Sequence, residues 1–70
     1  WHVAMNTEVV LHKQLEDLKD QHRTLDHEIR VMEQDPTHNQ LMAARMKKQK
    51  LALRDKIAEI EVELYPDVPA

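Results

Sequence analysis

Apolar residues recur along the chain in two runs at helical spacing. The first is Leu11, Leu15, Leu18, His22, Leu25, Ile29 and Met32, in steps of 4, 3, 4, 3, 4 and 3 residues. That alternation keeps one stripe on one side of a helix, as in the heptad seam of a coiled coil. The residues between are nearly all polar, and neither Pro nor Gly falls between Asn6 and Asp35. The pattern predicts a helix over about residues 7–34. Asn6 or Thr7 would open it, with Glu8 adding negative charge to the first turn. The second run is Ala43, Met46, Lys50, Leu53, Ile57, Ile60 and Leu64, in steps of 3, 4, 3, 4, 3 and 4. It predicts a helix over about 39–64, ended by Pro66 and Pro69, with 65–70 as an extended tail.

Only Asp35-Pro36-Thr37-His38-Asn39 interrupts the two runs. Pro36 disfavours helix at Asp35 and suits the first turn of a new one. Either Asp35 caps the second helix, or Thr37 does with Gln40 as its capping-box partner. A connection over 35–39 is short enough to force the helices antiparallel. The seams then match in one register: Leu11 with Leu64, Leu15 with Ile60, Leu18 with Ile57, His22 with Leu53, Leu25 with Lys50, Ile29 with Met46, Met32 with Ala43. The two numbers of every pair sum to 75. Beside the seam this register is expected to bring Asp26 near Lys47, His12 near Glu61 and, unfavourably, Lys19 near Arg54.

Composition narrows the picture further. Seventy residues make at most one domain, and one this small buries only about 60% of its unfolded surface. Cysteine is absent, so no disulfide or thiolate metal site can staple it. Glycine is absent too, which argues against a phosphate-cradling loop and so against a nucleotide-dependent enzyme. Residues 1–35 carry eight acids and four bases, residues 36–70 five acids and six bases, so the halves attract each other. No run is long and apolar enough to span a membrane and no signal peptide is visible, which leads us to expect a cytoplasmic protein. Met5 is expected to mark the native start, with residues 1–4 a remnant before it and residues 1–6 disordered.

A hairpin with one seam is thin. Ala44, Leu51, Ala58 and Val62 form a second apolar stripe on the second helix, extended by Leu41 and Met42, and the first helix adds Val9 and Val10. Such a stripe normally meets a partner. The plainest one is another copy of the chain, giving a dimer or tetramer built as a helical bundle; an unidentified protein is the other.

Candidate chemistry is sparse. His22 and Lys50 lie in the seam, where polar residues fix register and oligomer state at a cost in stability. With Asp26 they have the residue types of a proton donor or pH switch, but no element is left over to build a substrate pocket. None of the five histidines has a partner four residues away, so no metal site is expected. The stretch from Arg45 to Ile57 holds six bases and one acid, Asp55. It invites a nucleic-acid reading, yet no aromatic residue is at hand for base stacking.

The segment His22-Arg-Thr-Leu25-Asp26-His-Glu28-Ile29, followed by Met46-Lys-Lys-Gln-Lys50-Leu-Ala-Leu53-Arg54-Asp55-Lys-Ile57, resembles the YdcH-like proteins, small bacterial proteins of unknown function. The closing Pro66-Asp67-Val68-Pro69-Ala70 is similar to the tail of some members. Arg54 stands where Lys is usual, and Pro69 where Ile is usual. The resemblance implies a helical hairpin and carries over no catalytic residue or cofactor.

The expectation is therefore an all-α, antiparallel two-helix hairpin, coiled-coil-like and self-associating. It would be non-catalytic and without a cofactor, acting through protein–protein contacts as an adaptor or regulator. The contact surface would be the stripe of Ala44, Leu51, Ala58 and Val62 flanked by Lys47, Lys48 and Arg54. The alternative is a nucleic-acid-binding accessory protein using the basic run 45–56.

Overall fold

A computed structural model describes residues 7–66. The readings made for residues 1–6 and for the tail beyond Pro66 lie outside the described residues. Helix α1 spans Thr7–Glu33 and α2 spans Gln40–Leu64. Lys19 at the middle of α1 reaches Glu61 near the end of α2, and Glu33 at the end of α1 reaches Lys47 in the first third of α2. The helices therefore run antiparallel.

Every seam position is at least half-buried, and Leu15, Ile29, Ala43 and Ile60 are fully buried. Outside the seam only Val10, Asp26, His38 and Glu61 are less than exposed among the described residues. The heptad pattern thus selects every residue that is fully removed from water among the described residues.

The connection turns without glycine because it needs no positive φ; none occurs among the described residues. Asp35 and Pro36 take the first two places of a turn closed by His38 N–H donating to the Asp35 carbonyl at 3.0 Å. The Asp35 carboxylate accepts from Thr37 N–H at 2.8 Å and from its hydroxyl at 2.7 Å. These bonds occupy Asp35 and Thr37 in the turn itself, so neither caps α2 as the sequence suggested. Asn39 does: its side-chain oxygen accepts from Met42 N–H at 3.0 Å. Such a cap contributes about 1 kcal/mol. At the other end, Tyr65 N–H donates to the Glu61 carbonyl at 2.8 Å, and Pro66 follows. The Tyr65 ring meets His12 edge-on, centroids 6.0 Å apart.

The flanking charges pair differently from the expectation. Asp26 meets Lys50 rather than Lys47, Lys47 meets Glu33, and Glu61 meets Lys19, which is thereby kept from Arg54. His12 meets Tyr65 rather than Glu61. Helical side chains lean toward their own N-terminus. In an antiparallel pair both partners must therefore sit C-terminal to the level at which their side chains meet. The observed partners sum to 76 and 80 rather than 73. With that lean included, the cross-helix charge match is favourable throughout.

Candidate functional site

The hairpin is a flat plate with two broad faces. On the first, α1 contributes Lys19, Asp26 and Glu33, one residue past each inward-facing Leu or Met. From α2 come Lys47, Arg54 and Glu61, one past Met46, Leu53 and Ile60. Three cross-helix ion pairs roof the seam here: Lys19 to Glu61 at 3.7 Å, Lys50 to Asp26 at 2.8 Å, and Lys47 to Glu33 at 2.6 Å. Asp26 also holds Arg30 at 3.1 Å.

The structure brings Lys50 and Asp26 together, with His22 close enough for its charge to be felt. The Lys50 hydrogen bond pulls the Asp26 carboxyl below the ordinary 3.8, against the opposing effect of desolvation; Arg30, Lys50 and His22 add to the pull. Glu33 lies below 4.5 through its bond to Lys47, again against desolvation. Asp35 lies below 3.8 through the Thr37 hydroxyl and then the Thr37 N–H. A carboxyl whose folded pKa is lowered stabilises the fold above its unfolded pKa and loses that contribution as pH falls through the folded value. The melting temperature is therefore expected to hold from neutrality down to the ordinary values of 4.5 and 3.8 and to fall below them. Asp26→Asn should flatten that acid limb in circular-dichroism melts. An unchanged limb would mean that the Asp26 contacts carry no stability.

The predicted stripe lies on the same broad face. Ala44, Leu51 and Ala58 recur every seven residues beside the ion pairs, and Tyr65 continues the series. Ala44 and Ala58 are exposed, Leu51 is 53% exposed, and Val62 at 69% and Leu41 at 63% lie on the adjoining outer edge. Of the flanking bases, Lys47 is tied to Glu33, while Lys48 and Arg54 make no ion pair among the described residues.

The basic run is dispersed by the fold. Lys47 and Lys50 are neutralised by acids of α1. Arg45, Lys48, Arg54 and Lys56 fall at four different heptad positions and point around more than half the circumference of α2. A backbone-tracking groove needs bases concentrated along one line.

The second broad face was not anticipated. It holds an open groove of about 770 Å³ floored by Leu18, Leu25 and Leu53 and walled by residues including Thr24, Gln49 and Ala52. No cross-helix ion pair closes this side among the described residues. The signal was present in α1 as a second run, Val10, Gln14, Asp17, Gln21, Thr24, Glu28 and Val31, again in steps of 4 and 3. Its mostly polar residues hide it from a search for apolar periodicity.

Among the described residues no group of three His, Asp or Glu side chains is disposed to hold a metal ion, and no helix is long and apolar enough to cross a membrane.

A family model described as "Protein of unknown function (DUF465)" matches residues 15–61, two thirds of the chain. The YdcH-like proteins belong to that family. The matched span covers most of both arms of the hairpin and all of its turn. No curated protein and no solved structure matches the chain.

Proposed function

The chain belongs to the DUF465 family of proteins of unknown function, and from that premise we propose that it is a non-catalytic helical hairpin that works by binding another protein, as an adaptor or regulator. The observation that supports this is the line of Ala44, Leu51 and Ala58 left in water on α2, with Leu41 and Val62 beside it. A hairpin can hide only one seam between its two helices. Apolar side chains outside that seam lower the stability and solubility of the free chain, and they are covered only by a partner. Lys48 and Arg54 beside the stripe favour a partner with acidic residues around an apolar ridge. An amphipathic helix laid along α2 has that form.

A photo-crosslinking residue placed at Leu51, in the full chain expressed in its own host, tests this. A discrete product between the chain and one other protein is expected, and Lys48→Glu with Arg54→Glu should weaken it. If position 51 yields no product with another protein, the reading falls. A salt-sensitive shift with unrelated nucleic acids would replace it with the nucleic-acid reading, since backbone-directed binding falls steeply with salt.

A further inference from the structure

We infer that the groove face binds the same face of a second copy, with a twofold axis parallel to the helices that lays α1 of each chain on α2 of the other. This rests on the reading of the chain as an interaction module and assigns one of its two faces to itself.

The face is built to be covered. Leu18, Leu25 and Leu53 are seam residues that remain only half-buried because this side has no roof. Thr24 and Ala52 on the walls are small enough to let a neighbouring helix approach closely. Gln49 is neutral and can both donate and accept, so it can be buried against its own kind. At the turn end, Val31 and Met42 fall at heptad positions of the same side and are exposed.

Area and charge select the occupant. Two helices side by side, each about 10 Å wide and about 37 Å long, present roughly 750 Å². A stable dimer needs about 800 Å² from each partner. A second copy is also the one partner present whenever the chain is made, which suits a hairpin with so small a core of its own.

The helices carry opposite charge. Seven acids against four bases leave α1 at −3, and six bases against four acids leave α2 at +2. A twofold axis across the helices would lay α1 on α1 and α2 on α2, like on like. An axis along them lays α1 on α2 and makes every neighbouring pair antiparallel, as in an up-and-down four-helix bundle. Levels along the axis are then shared by the two copies. Side chains lean toward their own N-terminus here too, so partners across the interface sum to 76–80 as they do within the hairpin: Asp20 of one chain meets Lys56 of the other at 76, and both line the groove. At the same sum Thr24 faces Ala52, while Asp17 faces Glu59, a like-charged contact. Lys56 has no ion-pair partner within the chain among the described residues, and Asp20 is tied to Arg23 of its own helix.

Sedimentation equilibrium of the full chain, alone and as charge-swapped variants, tests the arrangement. The parent chain is expected to be dimeric in the micromolar range. Asp20→Arg and Lys56→Glu should each weaken the dimer by about tenfold or more, because every contact is made twice and becomes a like-charge one. Mixed in equal amounts, the two variants should recover the parent mass, since each then meets its complement at both contacts. Ala52→Glu should abolish the dimer, and Leu51→Glu on the opposite face should leave it intact. A monomeric parent chain overturns the inference. So does a mixture that stays dissociated, or a dimer lost on Leu51→Glu and kept on Ala52→Glu. None of these results depends on the crosslink from position 51, so this assignment and the adaptor reading fail separately.

Discussion

Ile29→Ala is expected to cost about 2–4 kcal/mol of stability, more than any exposed substitution in the chain. Ile29 is 2% exposed, the most deeply buried of the four core residues. Truncating it removes three carbons from the seam and leaves a space that two stiff helices cannot collapse to fill. Alanine's better helix propensity returns only a few tenths of a kcal/mol. A chain of this size has about 4–10 kcal/mol in all, so much of the cooperative transition should be lost. Urea unfolding followed by circular dichroism measures it. Leu51→Ala is the control: at 53% exposure it should shift stability by no more than about 0.5 kcal/mol. If the two variants lose equal stability, the seam is not what holds the hairpin together.

That contrast also shows how far the sequence could be read. Which residues enter the core depends on period alone, and period is visible in a string of letters. All fourteen seam residues lie in the two runs of 3 and 4 spacing, and none is exposed. The turn was legible in outline because Pro36 acts on its immediate neighbours. The cap was not. Asp35, Thr37 and Asn39 are all chemically able to cap a helix, and the choice fell to Asn39 once turn bonds had engaged the other two. The charge pairs were misassigned for a geometric reason. Residues at one level do not meet when both side chains lean away from it, so Lys19 finds Glu61 instead of Arg54.

The candidate surfaces divide in the same way. The Leu51 stripe is apolar and periodic, so it showed. The groove is made by seam residues already assigned to the interior, together with small and neutral residues that carry no hydropathy signal. It exists because one side of the seam is roofed by ion pairs and the other is not. That asymmetry is a property of two helices in register, not of either helix alone.

The polar residues of the seam lead to the other large effect. Replacing His22 and Lys50 together by Leu is expected to raise the melting temperature by several degrees while broadening the distribution of assembled masses. The gain follows from filling two adjacent layers, His22 against Leu53 and Leu25 against Lys50, with apolar side chains. Exchanging partly buried polar groups for packed hydrophobic ones is stabilising where no charge is left buried without a partner, and each kcal/mol gained is worth roughly 4–8 °C at this size. Asp26 would not be stranded by the change, because Arg30 remains at 3.1 Å. The loss of uniqueness follows from the Lys50–Asp26 bond at 2.8 Å. Slide the helices by one heptad and Lys50 faces Leu18 or Met32, with Asp26 about 10 Å of rise away. With Leu at both positions the slid and native registers bury much the same surface, and little separates them. Sedimentation velocity beside thermal melts reads both effects. A variant that melts higher yet keeps one sharp species would show that register is set elsewhere, in the turn or in the outer pairs Lys19–Glu61 and Lys47–Glu33.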